Sequence, residues 1–124
     1  MTDAFADADL ALLRDTPEVC IVTTMREGAA AHSTIIWVVV DSHDRVLIRS
    51  YLGPNARWYR EALAHPACGL LVGDRVLEVR AVSAADPKRV ASCSDGLRIK
   101  YAGHGSMPIM LRRHLETTLE LLPR

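Results

Sequence analysis

The sequence has no long apolar segment and no excess of charge of either sign. Its most apolar stretch, residues 35–40 (IIWVVV), is the length of one strand, whereas a membrane-spanning helix needs about 20 apolar residues. Lys and Arg number 15 and Asp and Glu number 15, so the formal net charge is +0. No overall field recruits nucleic acid or an anionic membrane to such a chain. We therefore predict neither partner.

Signs of disulfides, metal ligands and a signal peptide are also lacking. The three cysteines, Cys20, Cys68 and Cys93, are far apart and odd in number, which is typical of reduced structural thiols in a cytoplasmic protein. The five histidines form no His-x-His or His-x3-His pair, so no metal is predicted. The first 15 residues begin acidic and carry no basic segment before their apolar residues, so no signal peptide is expected.

The sequence does contain six segments with strand character. They are rich in β-branched residues or alternate between apolar and polar residues, and they cover residues 18–25, 32–40, 45–51, 67–72, 75–83 and 116–122. Gly73-Asp74 predicts a hairpin between the fourth and fifth segments. An antiparallel sheet of this size avoids exposed edges most easily by closing into a barrel. We predict a mainly β fold with short helices.

Helices are predicted between and around these strands in one domain, residues 1–124. The first covers residues 1–16 with Asp3 as N-cap, and a second covers residues 56–65 with Asn55 as N-cap. Asp86-Pro87 starts a helical segment over residues 86–114, broken near residues 102–105, where Ser106 caps a further turn. The barrel strands then lie within residues 18–83, and residues 115–122 form the final strand.

Residues 49–60 (RSYLGPNARWYR) place charge and aromatic rings at a strand–helix junction. A helix N-terminus offers free amide groups and the positive end of the helix dipole, which together favour a phosphate. Arg49, Ser50 and Arg57 supply further donors. The alternative is that the arginines are solvated while Trp58 and Tyr59 fill the core, and composition alone favours that interpretation.

This segment and residues 32–41 (HSTIIWVVVD) resemble the FMN-binding split-barrel superfamily, which includes pyridoxamine 5'-phosphate oxidase-like flavoproteins and deazaflavin-dependent reductases. The resemblance implies a six-stranded antiparallel split β-barrel, a homodimer, and FMN or alternatively an 8-hydroxy-5-deazaflavin coenzyme. The implied cofactor-binding residues are Ser33, Thr34, Ile35, Trp37, Arg49, Ser50, Arg57 and Trp58. The two apolar faces of residues 35–40 also favour a covering second subunit.

Two functions follow from this resemblance. The first is an oxidoreductase that transfers hydride or electrons to a small organic acceptor, with His32 and Tyr51 as the best-placed proton donors. The second is a small-molecule-binding module without redox chemistry. This alternative is kept because the site has less positive charge than in the superfamily. Trp58 stands where the superfamily carries a basic residue, Trp37 where it carries a lysine, and His32 where an arginine often lies.

Overall fold

The computed structural model describes residues 4–124. They form a curled antiparallel sheet with helices packed against it. The strands are β1 (Val19–Thr24), β2 (Ala31–Ile36), β3 (Val39–Val40), β4 (Val46–Ile48), β5 (Ala67–Val72), β6 (Arg75–Ser83) and β7 (Leu119–Pro123). The helices are α1 (Asp7–Asp15), α2 (Arg57–Ala64), α3 (Pro87–Lys100) and α4 (Met107–Arg112). None of the helices within residues 4–124 is long and apolar enough to cross a membrane.

The strand order is β2-β1-β5-β6-β7-β4-β3, and every neighbouring pair is antiparallel. The two edge strands, β2 and β3, are consecutive in the chain, so the sheet curls back on itself. The predicted mainly β, antiparallel split barrel is confirmed. Its six expected strands become seven because the segment 32–40 is interrupted at Trp37 and Val38.

Two side chains from the end of α3 satisfy the backbone where this strand is interrupted. The Val38 N–H donates to the Tyr101 hydroxyl at 3.0 Å, and that hydroxyl donates to the Pro17 carbonyl. Lys100 Nζ donates to the carbonyls of Leu13 and Val38 at 2.7 and 2.9 Å. Because the Val38 backbone is paired outside the sheet, the strand can bend there without leaving buried polar groups unsatisfied.

The hydrophobic core has two parts. The larger lies inside the curl of the sheet under α1 and α2, and the smaller lies between β3, β4, α3 and α4. In the smaller part α3 approaches β3 so closely that a Cβ added to Gly96 would lie 2.0 Å from Val39 Cγ1. Helix α3 therefore covers Val39. This residue belongs to the segment 35–40, whose apolar faces predict a covering second subunit.

The ends of two helices differ from the prediction. Ala6, not an acidic residue, precedes α1 and makes no side-chain cap bond, while the predicted cap Asp3 lies outside the described residues. The prediction of Asn55 as the cap of α2 is wrong. Asn55 ends a 3-10 turn, Gly53–Asn55, and Ala56 precedes the helix.

The second half of the chain follows the predicted order with shifted boundaries. The Asp86 side chain caps α3 by accepting the Arg89 N–H at 3.1 Å, as predicted. Ser106 precedes α4 but makes no side-chain cap bond. A 3-10 turn, Leu115–Thr117, occupies the predicted beginning of the last strand, and β7 starts at Leu119.

Candidate functional site

A cleft of about 550 Å³ lies where the end of β2, the start of α2 and α4 meet. From the predicted site it brings together Thr34, Ile35, Trp37, Arg49, Tyr51, Arg57 and Trp58. Its remaining wall is formed by Glu18, Ile36, Leu52, Ala56, Ser106 and Met110. The volume lies within the usual range of small-molecule sites, about 300 to 1,000 Å³.

The start of α2 lines this cleft through Ala56, Arg57 and Trp58, and it carries free backbone donors. Ala56 precedes the helix with a 3-10 turn behind it and provides no side-chain cap, so within residues 4–124 the amides of Arg57, Trp58 and Tyr59 have no acceptor. The Arg57 side chain is exposed and makes no hydrogen bond or ion pair with any described residue. A cation at this end opposes the helix dipole, and an anion bound there would reverse the effect.

Arg49 places a second cation in the cleft wall, only 2% exposed. Its hydrogen bonds within residues 4–124 go to uncharged oxygens: Thr118 Oγ1 at 2.9 Å, Ser94 Oγ at 3.0 Å and the carbonyls of Met110 and Val90 at 2.7 and 3.0 Å. Burial lowers the pKa of the guanidinium, partly offset by nearby Cys93. The bonds fix the guanidinium, but none of these acceptors neutralises its charge.

Ser50 shapes the loop between β4 and α2. Its hydroxyl donates to the Gly53 carbonyl at 2.7 Å, and its own amide donates to Thr117 Oγ1 at 3.1 Å. Gly53 has φ +79°, and a Cβ there would lie 2.5 Å from His114 Nδ1. The loop therefore requires glycine at this position, and Ser50 is buried in the turn rather than in the cleft wall.

The two tryptophans of the cleft are held by packing. Trp58 is 5% exposed and meets Tyr59 edge to face at 6.0 Å. Trp37 stacks on Tyr101 with ring centroids 4.2 Å apart and planes 5° from parallel. His104 lies against the edge of Trp37 at 5.1 Å. Such rings form a rigid apolar wall that suits a planar ligand.

Two predicted residues of β2 lie away from the cleft. Ser33 is on the exposed face of the strand. His32 faces α2, where its Nδ1 lies 3.0 and 3.2 Å from the carboxylate oxygens of Glu61. The roles assigned to these two residues remain predictions.

Glu61 is the feature that sequence reasoning missed. It is 4% exposed, accepts the Thr23 hydroxyl at 2.8 Å and pairs with His32. Burial raises its pKa, but the hydrogen bonds from Thr23 and His32 outweigh burial, so the pKa of Glu61 lies below its usual value. The only available signal was a charged residue among the buried positions of a short amphipathic helix.

The cysteines and histidines of the described residues form no metal site. Cys68 and Cys93 are buried, and burial raises the pKa of each thiol to about 11. Neither thiol is therefore activated as a nucleophile.

Residues 9–121 match the model of a family described as "Uncharacterized protein conserved in bacteria (DUF2255)". The chain belongs to this family. No curated protein sequence is similar enough to count as a match.

Three solved structures have folds similar to that of this DUF2255 chain. A conserved hypothetical protein from Mycobacterium tuberculosis has a TM-score of 0.71 at 12% identity, covering 98% of this chain and 81% of its own. An F420-H2-dependent reductase has a TM-score of 0.62 at 16% identity, with coverages of 86% and 93%. A putative pyridoxamine 5'-phosphate oxidase from Listeria innocua has a TM-score of 0.62 at 12% identity, with coverages of 95% and 90%. At these identities the likeness shows the fold, which is the split barrel of the superfamily that the sequence resembles.

Proposed function

We propose that the cleft binds the phosphate-bearing end of a flavin or deazaflavin, and that the protein is an oxidoreductase acting on a small organic molecule. One observation carries this proposal: two cations and free backbone donors line one cleft. The cleft is lined by Arg57 and Trp58, whose amides have no acceptor within residues 4–124, and by the buried Arg49. The Arg57 guanidinium makes no hydrogen bond there, and Glu18 is the one carboxylate in the lining. The likeness in fold to a reductase and an oxidase supports the same conclusion.

The residues present fit such a group. The first amides of α2 and the Arg57 fork would hold the phosphate, and Arg49 would add positive potential from below. Thr34, Ile35 and Trp37 would form the wall beside the ring system. Tyr51, which lines the cleft and is 44% exposed, is better placed than His32 to donate a proton.

The bound flavin or deazaflavin supplies the hydride chemistry itself. The protein's share is to orient the ring, keep water out and present donors. The packed Trp37 and Trp58 exclude water from one side of the cleft, while the rigid start of α2 provides donors that need no rearrangement.

The alternative is a binding module without redox chemistry. It is favoured by Trp58, which stands where the superfamily has a second basic residue and is packed into the core. The cleft wall then has two cations, Arg57 and Arg49, and Arg49 is already hydrogen-bonded to the protein. The cleft would therefore bind phosphate more weakly than a site with a further basic residue.

The absorbance spectrum of freshly purified protein, followed by titration with FMN and with a deazaflavin coenzyme, tests the proposal. Arg57→Ala is expected to weaken binding by about 1.5–3 kcal/mol, because a charge-assisted hydrogen bond is lost. Arg60→Ala, an exposed arginine on α2 outside the cleft wall, is the matched control and should change little. If wild type binds neither cofactor, the proposal is wrong. If Arg57→Ala and wild type bind the cofactor with equal affinity, Arg57 does not hold the phosphate.

We further propose a homodimer through the outer face of the sheet. Cross-strand pairing places Ile35, Cys20, Leu71 and Val76 in one apolar row across four strands. Ile35 is 64% and Val76 61% exposed. A two-fold axis would bury the row against its own copy.

Sedimentation tests the dimer. Wild type is expected to sediment as a dimer and Val76→Glu as a monomer, whereas Ile99→Glu, a change at an apolar residue of α3 that is 82% exposed, should remain dimeric. A wild-type monomer at high micromolar concentration would contradict this interface.

A further inference from the structure

Glu61 and His32 form a charged pair next to the cleft but outside its wall. The Glu61 carboxylate points from α2 towards the sheet, where β1 supplies Thr23 and β2 supplies His32. Because a carboxylate only accepts, Nδ1 of His32 carries the proton of this contact. The His32 side chain remains 34% exposed, so its second nitrogen can exchange a proton with solvent.

The pair has two charge states, which differ by one proton on His32. When His32 is protonated, the pair is neutral overall. When His32 is neutral, the buried Glu61 carboxylate leaves one negative charge, since its hydrogen bonds keep it ionised. Histidine is the side chain that changes charge in the range of pH 5 to 8.

The pair is coupled to the start of α2. Arg57 lies four residues before Glu61, a spacing that puts both on one helix face, and the two side chains interact electrostatically. Within residues 4–124, Thr23 of β1 contacts Glu61, and Thr34 follows His32 by two residues, on the same face of β2. Both are uncharged. The other cation of α2 close to the pair in sequence is Arg60, which is exposed.

We propose that His32 and Glu61 are positioning residues that set the anion affinity of the cleft, which binds an anionic group more tightly when His32 is protonated. The inference rests on the proposed anion site at the start of α2. With His32 neutral, the Glu61 charge competes with the bound anion for Arg57. For a dianion such as sulfate, a change of one unit charge one to two helical turns away, at a water-like dielectric of ~80, changes the affinity about fivefold.

Sulfate is the probe, because its charge stays constant between pH 5.5 and 8.5, unlike that of a phosphate ester. Binding is followed from the backbone amide NMR signals of residues 57–59. For wild type we expect the dissociation constant to rise about fivefold from pH 5.5 to 8.5, the screened Coulomb effect of one unit charge on the sulfate dianion. The same spectra report whether each variant is folded.

Two variants are expected to change the pH dependence of sulfate affinity in different ways. His32→Gln should bind sulfate at every pH as weakly as wild type does at pH 8.5. Glu61→Gln should bind about fivefold more tightly than wild type at pH 8.5, because the competing charge is gone. His43→Gln, a change in the turn between β3 and β4, is the matched histidine control and should keep the wild-type profile.

The outcomes separate this inference from the proposed function. A pH-independent sulfate affinity in wild type, or unchanged profiles in both variants, would overturn the inference even if flavin binds. The expected sulfate profile without flavin binding would support the inference and refute the cofactor. If sulfate shifts none of the three amide signals at any pH, the anion site and the inference fall together.

Discussion

Gly96 tests how closely α3 must approach the barrel. An added Cβ would lie 2.0 Å from Val39 Cγ1, 3.1 Å from its Cβ and 3.2 Å from its Cγ2. Helix and strand would have to separate for Gly96→Ala to fit, at a cost near the upper end of overpacking, about 3 kcal/mol. Alanine returns about 1 kcal/mol through its higher helix propensity. The net loss in the free energy of unfolding is therefore about 2 kcal/mol.

This loss corresponds to a fall in Tm of about 8 °C for a chain of this length, measured by calorimetry or thermal circular dichroism. Gly105→Ala is the matched control, because a Cβ there meets nothing within 4 Å, and it should change Tm little. In a Val39→Ala background the cost of Gly96→Ala should fall below about 0.5 kcal/mol, since the clashing methyl groups are absent. A Gly96→Ala protein as stable as wild type would refute the close approach, and with it the frame that α3 provides for Arg49.

Three further predictions concern stability and reactivity. Tyr101→Phe keeps the stacked ring but leaves the Val38 N–H and the Pro17 carbonyl without their partner. Urea unfolding should therefore show that the free energy of unfolding falls by about 2 kcal/mol. No change would mean that the hydroxyl does not stabilise the strand break. Because the pKa of Glu61 in the folded protein lies below its usual value, its contribution is present above about pH 4.5 and is lost as pH falls through the folded pKa. Wild type should therefore lose stability more steeply than Glu61→Gln in acid titrations followed by circular dichroism, and parallel curves would contradict this. In the monomeric Val76→Glu variant, where the proposed dimer face is free, a thiol reagent at pH 8 should label half-buried Cys20 well before Cys68 and Cys93, whose pKa values are about 11. Equal rates would show that the two buried thiols are accessible.

The fold was largely predictable because its signals are local. Alternation of apolar residues predicts β6, the Gly73-Asp74 pair predicts its hairpin with β5, and Asp86-Pro87 predicts the start of α3. Each depends on neighbouring residues, so the sequence contains the necessary information. The strand break at Val38 is different, because its cause is a tyrosine hydroxyl 63 residues later.

The site was predictable only in part, because several of its contacts join residues that are far apart in the sequence. The segment 49–60 predicts a cation-rich helix start, and the cleft wall does contain Arg49 and Arg57. That Arg49 turns inward depends on acceptors in α3, in α4 and just before β7, 41 to 69 residues away. The contact between His32 and Glu61 spans 29 residues and depends on how α2 packs against β1 and β2. No local pattern encodes such contacts.

The direct test of an anion site at the start of α2 is to compare FMN with riboflavin, which has the same ring but no phosphate. We predict that FMN binds at least tenfold more tightly, about 1.4 kcal/mol, and that FMN alone shifts the backbone amide signals of Arg57, Trp58 and Tyr59. Equal affinities with those three signals unmoved would contradict a phosphate site at α2.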